Sequence, residues 1–360
     1  MTIINAFKDS VIEYKPLFFF NALFLLTVFS AAYFCGASVS EFLKVSSAGL
    51  TMGILFIIPA IHLALWFIYQ IYKKTQSETK LSLSAAMKAQ INEMKSSAEY
   101  GRRAANALCG FISISVITTF FCVGKSLIPR LTQYGWDPLF SNIDKILHFG
   151  RYPHEIILPM IEAHSLQTPL DYVYILYFPV IFGVVTYALF YERDHNLQKQ
   201  FIWAYSLCWT LLGLLLAASL ASVGPLFYDD FYTGANPYTG LIEALKIHAE
   251  TDQLKVMILK EELYRMTTDD VVVDINAISA MPSMHMSIVA LFVFYLKEKD
   301  RFAFLMMAVF WGASLLSIIY LGLHFAVDGY VSLILTGLIW YGLTKRVMSS
   351  EQVQQDKSSK

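Results

Sequence analysis

The fold is decided by a run of twenty uncharged residues, FAFLMMAVFWGASLLSIIYL, which occupies Phe302–Leu321. A helix of about 20 apolar residues is long enough to cross the hydrocarbon core of a bilayer. A second run, HFAVDGYVSLILTGLIWYGL, follows at His324–Leu343 and contains a single charged residue, Asp328. Two such runs in close succession are typical of consecutive membrane-spanning helices that carry the chain across the membrane and back.

The composition of the whole chain agrees with this interpretation. Of 360 residues, 56% are hydrophobic and only 15% are charged, whereas about a quarter of the residues in a soluble domain carry charge. This composition excludes a water-soluble globule and a disordered chain. The 27 basic and 28 acidic residues nearly cancel, so the chain has no basic field with which to bind nucleic acid. The sequence predicts a polytopic membrane protein of the all-α class.

About eight stretches are long and apolar enough to span a membrane. They are Leu17–Cys35, Ala48–Tyr72, Ala104–Val123, Leu170–Tyr191, Phe201–Val223, Ile278–Leu296, Phe302–Leu321 and His324–Leu343. We expect residues 1–103 to form two N-terminal transmembrane helices and a basic cytoplasmic segment, residues 104–346 a six-helix membrane domain, and residues 347–360 a polar cytoplasmic tail. The first stretch could instead be a signal peptide, but its apolar run is long for one and favours a retained anchor.

Lysine and arginine residues indicate the orientation of the chain, because short cytoplasmic connections retain positive charge. The basic connections occupy positions 73–103, 192–200, 297–301 and 345–346. They alternate along the chain with connections that are poorer in basic residues, so one orientation satisfies all of them. Both termini are then cytoplasmic, and Gly124–Pro169 and Gly224–Ala277 lie outside. We therefore expect a protein of the inner or plasma membrane.

The two outer segments mix apolar and charged residues, as in Ile143–Phe149, Ile156–Ile161 and Leu241–Met266. Amphipathic helices that lie in the membrane interface would explain this composition. A small folded cap over the bundle explains it equally well. The sequence leaves both arrangements open.

Three ionisable residues at the predicted outer ends of the spans form the candidate site. His285 lies near the start of the sixth span, and His324 and Asp328 lie at the start of the eighth, four residues apart and thus on one face of a helix. Because the seventh span returns the chain to the outside, we expect both histidines at the same membrane surface. Ionisable groups near membrane depth are costly, which makes each of them a candidate for function.

These residue types suit chemistry at phosphorus. A carboxylate beside a histidine can accept its ring N–H and stabilise the imidazolium, which leaves the other ring nitrogen free to attack. A second, protonated histidine can deliver a proton to the departing oxygen. The N-termini of the two helices favour an anion, and Ser283 could either cap its helix or donate to that anion.

The segments Met281-Pro-Ser-Met-His285 and Leu321-Gly-Leu-His-Phe-Ala-Val-Asp328 resemble the second and third motifs, P-S-G-H and S-R-x5-H-x3-D, of the type 2 phosphatidic-acid phosphatase superfamily. The resemblance implies that His324 is a nucleophile that forms a phosphohistidine, that Asp328 orients it and that His285 is the general acid. It also implies that no metal or organic cofactor is needed. The implied partners are the membrane and a lipid phosphate or phospholipid substrate, with a second lipid or alcohol as a possible acceptor.

Departures from these motifs favour one branch of the superfamily. Met284 replaces the glycine of the second motif, and Ile318, after Ser317, occupies the place of the arginine in the third. The first motif, K-x6-R-P, has no faithful copy, and Lys145 with Arg151 is the nearest match. Weak arginine motifs beside an intact His, His and Asp are similar to the inositol phosphorylceramide and sphingomyelin synthase branch. The candidate phosphate-binding residues are Ser283, Lys145, Arg151 and Ser317.

The predicted function is that of an integral-membrane lipid phosphotransferase or phosphatase whose site faces the non-cytoplasmic side. A plain lipid-phosphate or polyprenyl-diphosphate phosphatase is one alternative, because water or an alcohol could discharge the same phosphohistidine. A non-enzymatic transporter or assembly subunit with a relic site is the other. A decayed site is expected to lose one of its three residues first, and none of the three is lost.

Overall fold

The computed structural model describes residues 3–37, 61, 64–65, 67–76, 81–252, 260, 264 and 278–358. All regular secondary structure in these residues is helical, which confirms the predicted all-α class. Twelve of the helices are numbered in chain order as α1 (Ile3–Glu13), α2 (Lys15–Phe34), α3 (Leu83–Ser96), α4 (Ala98–Ser126), α5 (Asp137–Leu147), α6 (Pro153–Ala163), α7 (Gln167–Thr186), α8 (His195–Leu207), α9 (Thr239–Asp252), α10 (Met284–Lys297), α11 (Arg301–Tyr320) and α12 (Ala326–Ser358). A π-helical turn (Tyr187–Tyr191) extends α7, and a π-helical segment (Cys208–Leu216) with a last turn (Ala217–Ser219) extends α8.

Six helical segments within the described residues are long and apolar enough to cross a membrane. They are Lys15–Phe34, Ala98–Ser126, Gln167–Tyr191, His195–Ser219, Arg301–Tyr320 and Ala326–Thr344. These match six of the eight predicted spans, and the predicted polytopic bundle is confirmed. Of the other two, Ala48–Tyr72 lies mostly outside the described residues, and Ile278–Leu296 is present as the shorter apolar helix α10.

The start of α10 differs from the prediction. The helix begins at Met284, because residues 278–283 pair with a neighbouring loop instead of continuing the helix. The N–H of Ala280 donates to the carbonyl of Ser222 (2.9 Å), and the N–H of Met281 donates to the Ser222 hydroxyl (3.0 Å). The apolar side chains of residues 278–281 are buried against protein, so hydropathy alone extends the predicted span too far.

The predicted cytoplasmic connections meet at one end of the bundle. Glu192, which follows α7, accepts from the Tyr295 hydroxyl of α10 (2.7 Å) and from Lys299 after α10 (2.7 Å). Glu13, at the end of α1, pairs with His195 and Lys199 of α8. The N-terminal helix and the connections at 192–200 and 297–301 therefore share one end, as the charge pattern predicts. That this end faces the cytoplasm stays a prediction.

The opposite end of the bundle is covered by α5, α6 and α9. Phe140 of α5, Ile161 of α6 and Leu241 of α9 are buried in one apolar cluster with Tyr320 and Phe325 of the bundle. Burial of a side chain of this size contributes roughly 1.5–3 kcal/mol. These three helices thus form a folded cap, which is one of the two arrangements that the sequence left open.

Helix α5 is nevertheless amphipathic. Its inner face carries the buried residues Asp137, Phe140, Ser141 and Asp144. On its outer side Ile146 and Leu147 are exposed, as is Phe149 just beyond its end. An apolar outer surface is what the other arrangement, an interfacial helix, requires. Helix α5 is therefore part of the cap and is also amphipathic, and its position in the membrane interface stays a prediction.

The π-helical part of α8 packs closely against the start of α10. A Cβ atom added at Gly213 would lie 2.9 Å from the sulfur of Met284 and 2.6 Å from the ring of Phe121. Only glycine allows so close an approach at this position. This contact helps to set the depth at which Met284, and therefore the next residue, His285, lies in the bundle.

Candidate active site

His324 lies in the connection between α11 and α12, two residues before α12 begins. The prediction that it shares a helix face with Asp328 is therefore wrong, since only Asp328 is helical. The chain turns at Gly322, whose φ of +66° is in the region that favours glycine. The turn still brings the side chains together, because His324 Nδ1 lies 3.3 Å from Asp328 Oδ2.

Hydrogen bonds determine which ring nitrogen of His324 carries the proton. Nδ1 lies 2.8 Å from the backbone carbonyl of Ala280, which can only accept. Nδ1 therefore carries the hydrogen, and Nε2 keeps its lone pair. Nε2 lies 3.2 Å from the hydroxyl of Ser283, which also accepts from the N–H of Met286 (3.3 Å). Both contacts are satisfied when Ser283 donates its proton to Nε2.

Asp328 has two tasks in the first turn of α12. Its Oδ2 accepts from the N–H of Phe325 (3.0 Å) as well as facing His324, so it closes the helix start in the manner of a capping box. Asp328 is 0% exposed, and its Oδ1 has no hydrogen-bond partner among the described residues. A buried polar atom without a partner is uncommon and marks a place where a ligand or water can bind.

His285 lies in the first turn of α10 and is held between two aromatic rings of α7. Its ring stacks on Tyr177, with centroids 3.8 Å apart, and on Tyr174, with centroids 4.7 Å apart. Its Nε2 is buried and has no partner among the described residues. His285 and His324 are close enough to interact electrostatically. The structure therefore brings together the three residues that the sequence singled out.

The expectation that the start of α12 is free to bind an anion is wrong. Its first N–H groups, those of Ala326 and Val327, both donate to the carboxylate of Asp144 in α5, each over 2.8 Å. Burial raises the pKa of Asp144 to about 7 against the opposing effect of these donors, and the Asp328 carboxylate adds to the rise. One anion thus already occupies the helix end that a phosphate was expected to approach.

A second carboxylate of α5 supports the loop that follows α8. Asp137 accepts from the N–H groups of Val223 (2.9 Å) and Gly224 (2.8 Å) and from the hydroxyl of Tyr232 (2.8 Å). Gly224 has a φ of +84°, and an added Cβ would lie 2.6 Å from the carbonyl oxygen of Leu323. The loop therefore packs directly against the residue before His324.

The other candidate phosphate ligands are not drawn into this group. Lys145 lies over the ring of Tyr152, 5.1 Å from its centroid. Arg151 donates to the carbonyl of Glu155 (3.1 Å) at the surface. Ser317 is buried and donates to a backbone carbonyl of α7 (2.6 Å). Of the four, only Ser283 contacts one of the two histidines.

Sequence reasoning missed the residues that support the site from other elements: Tyr174, Tyr177, Asp137 and Asp144. Some pattern was available, because the two aspartates are seven residues apart in the outer segment Gly124–Pro169. Positions seven apart lie on the same face of a helix. Two carboxylates on the inner face of such a segment are candidates for helix and loop capping.

The geometry of His324, Asp328 and His285 is one that would suit a nucleophile with an orienting carboxylate and a second histidine close by. Residues 140–342, more than half of the chain, match a family model described as the PAP2 superfamily. Members of this superfamily are phosphoesterases and phosphotransferases. No curated protein and no solved structure matches the chain significantly. The matched residues include both histidines, Asp328 and Asp144, and the chain belongs to the PAP2 superfamily.

Proposed function

We propose that this chain is an integral-membrane enzyme that transfers or hydrolyses the phosphate of a lipid through a phosphohistidine on His324. Membership of the superfamily supports the general reaction. The membrane-spanning helices that carry the site support a lipid as the substrate. The residues in direct contact with the reacting groups are His324, His285 and Asp328.

The protonation state of His324 carries this proposal. The Ala280 carbonyl holds the proton on Nδ1, so the lone pair of Nε2 is available for attack on phosphorus. The only described polar group on Nε2 is the Ser283 hydroxyl, which can move its hydrogen bond to a phosphoryl oxygen when substrate binds. A histidine with a purely structural role would need no such exchangeable partner.

In the proposed reaction, Nε2 of His324 forms a bond to phosphorus while the bond from phosphorus to the leaving oxygen breaks. His285, protonated because the bound phosphate is an anion, gives its proton to that oxygen. Asp328 stabilises the positive charge on the phosphorylated ring. Water or an alcohol then loses a proton to His285 and takes the phosphoryl group, which regenerates His324.

We propose further that the enzyme belongs with the phosphotransferase branch that resembles inositol phosphorylceramide and sphingomyelin synthases. The motif arginine is replaced by the buried Ile318, and Lys145 and Arg151 are turned to other partners. The carboxylate of Asp328 lies buried beside His324. Such surroundings favour a phosphodiester with one negative charge over a phosphomonoester with two.

We also propose that the site faces the non-cytoplasmic side of the membrane. His324 and the cap lie at one end of the bundle, whereas the basic connections lie at the other. The positive-inside rule assigns that other end to the cytoplasm. Cysteine probes near Asp137 should then react with an impermeant reagent in intact cells, while probes near Lys88 should be protected.

The test uses purified full-length protein in nanodiscs and a lipid labelled with ³²P. Wild type should acquire acid-labile, base-stable label on His324, and His324→Ala should abolish both the labelled protein and turnover. His164→Ala is a matched control, because His164 is an exposed histidine at the end of α6. Label on a second lipid would identify a transferase, and label in free phosphate would identify a phosphatase.

Turnover that survives His324→Ala would overturn the phosphohistidine mechanism. Turnover that requires a divalent metal, measured by chelation and re-addition, would overturn the direct attack by histidine. A wild-type protein that neither binds label nor turns over any lipid phosphate would favour the non-enzymatic alternative.

A further inference from the structure

Asp144 is a buried carboxylate that holds the start of α12 from outside that helix. It is 2% exposed. Its Oδ2 accepts from the N–H of Ala326 and its Oδ1 from the N–H of Val327, each over 2.8 Å. These N–H groups begin α12 and have no acceptor within it. A residue 182 positions earlier in the chain therefore supplies the missing acceptors of the helix.

The position of this first turn determines how His324 and Asp328 face each other. His324 precedes the helix by two residues, and Asp328 lies on the first turn itself. Their separation of 3.3 Å is already close to the limit of a hydrogen bond. A small displacement of the turn would therefore break the contact, and a misplacement of about 1 Å at a catalytic group can cost roughly 10²-fold in rate.

A second contact keeps α5 against α12. His148, just after the end of α5, donates from Nδ1 to the carbonyl of Asp144 (2.7 Å) and accepts at Nε2 from the hydroxyl of Tyr330 (3.1 Å). Tyr330 lies one turn beyond Ala326 on α12. His148 therefore links the backbone of Asp144 to α12, while the Asp144 side chain binds the first turn of the same helix. With its backbone fixed in this way, Asp144 can restrain that first turn.

The choice of residue also indicates a function. Burial raises the pKa of Asp144 to about 7, so ionisation of the group at neutral pH costs free energy. Asparagine or serine would cap a helix without that cost. Perturbed carboxylates of this kind cluster at functional sites.

We propose that Asp144 is a positioning residue of the active site, which holds the first turn of α12 so that His324 stays aligned with Asp328 and covered by Ser283. Its role in turnover rests on the proposed function. Its restraint of His324 is independent of that function, so the restraint and the role in turnover are tested separately.

The restraint is tested by the reactivity of His324 towards diethyl pyrocarbonate, a probe that acylates the free lone pair of imidazole. Mass spectrometry of the purified full-length protein gives the rate at each histidine. The side chain of His324 is only 12% exposed, so a loosened turn should expose Nε2. We expect Asp144→Asn to raise the rate at His324 about tenfold, as for the loss of one hydrogen bond.

Two controls separate restraint from unfolding. Asp194→Asn makes the same change at the other end of the bundle, where Asp194 accepts from the N–H groups of Asn196 and Leu197 at the start of α8. It should leave the rate at His324 unchanged. The buried His154 monitors unfolding of the cap, and its own rate should be the same in all three proteins.

The role in turnover is tested with dioctanoyl phosphatidic acid and phosphatidylinositol as probes. Because Asp144 does not contact substrate, Asp144→Asn should lower kcat about tenfold and leave KM within about twofold. Equal labelling of His324 in wild type and Asp144→Asn would overturn the proposal. Faster labelling with unchanged kcat would overturn the positioning role. Absence of wild-type turnover of any lipid phosphate would overturn the proposed function, while the labelling rate would still decide whether Asp144 restrains His324.

Discussion

Replacement of Asp328 by asparagine tests how His324, the proposed nucleophile, is held. In the structure the Nδ1 proton of His324 has two acceptors, the Ala280 carbonyl at 2.8 Å and the Asp328 carboxylate at 3.3 Å. Asparagine keeps one oxygen for the N–H of Phe325, which the carboxylate also binds at 3.0 Å. The substitution therefore removes a negative charge and leaves both the helix cap and the shorter hydrogen bond in place.

The size of the effect follows from what is left. Where a carboxylate is the sole acceptor, as in serine protease triads, aspartate to asparagine costs about 10⁴-fold because the wrong tautomer forms. In this site the Ala280 carbonyl still imposes the reactive tautomer. Only the stabilisation of the charged ring is lost, and a hydrogen bond to a charged group contributes about 1.5–3 kcal/mol. We therefore expect Asp328→Asn to lower kcat/KM about 10- to 150-fold.

The measurement compares kcat/KM of wild type, Asp328→Asn and His324→Ala in nanodiscs with the same lipid. Asp300→Asn is the matched control, because Asp300 caps α11 at the far end of the bundle by accepting from the N–H of Ala303 (2.8 Å). A loss as large as that of His324→Ala would show that the carboxylate, and not the carbonyl, selects the tautomer. A loss below about threefold would show that Asp328 acts only as a helix cap.

Three further predictions concern the surroundings of the site. Gly224→Ala should lower the unfolding temperature and the activity, because its Cβ would lie 2.6 Å from a backbone oxygen. Gly234→Ala is the control: Gly234 has a φ of +115° but lies in open space, so this variant shows only the backbone strain of about 1–3 kcal/mol without a steric clash. Tyr177→Leu should lower kcat about 2- to 10-fold, since it removes a stacked ring worth about 0.5–1.5 kcal/mol from His285, and Tyr177→Phe should not. Burial lowers the pKa of His154 to about 4, so between pH 6.5 and 4 acid protonates the unfolded chain first and favours unfolding. Wild type should therefore lose free energy of unfolding on the order of 3 kcal/mol over this pH range, and His154→Phe should not. Thermal unfolding at a series of pH values checks this, and equal pH slopes for both proteins would contradict it.

The bundle could be predicted from the sequence because hydrophobic length is a local property. Phe302–Leu321 and the helix Arg301–Tyr320 agree within one residue at each end. The prediction was wrong at residues 278–283, where the apolar side chains face the cap instead of lipid. A hydropathy scale measures how unfavourable it is to expose a side chain to water. It does not distinguish burial in the protein from exposure to lipid.

The candidate site could be predicted in part for a related reason. His285, His324 and Asp328 were found from topology and spacing, which place helix ends at a common depth. Their supporting partners depend on contacts between distant segments, such as that of Asp144 with Ala326. Lys145 was predicted to bind phosphate because of its charge, but the residue that faces inwards is Asp144. Consecutive positions on a helix point about 100° apart, so the two side chains cannot both face the site.

If His324 is the nucleophile, as we propose, the hydroxyl of Ser283 also has a consequence between turnovers. While no substrate is bound, it occupies the lone pair of His324 that would otherwise meet any electrophile that enters the cap. A phosphoryl group can displace it, because its oxygens accept the same proton while phosphorus approaches the nitrogen. An alkylating agent brings no oxygen to accept that proton, so it reacts with His324 only when the hydrogen bond from Ser283 opens. On the proposed mechanism we therefore expect the resting site to be selective before any headgroup is recognised, through a single exchangeable hydrogen bond.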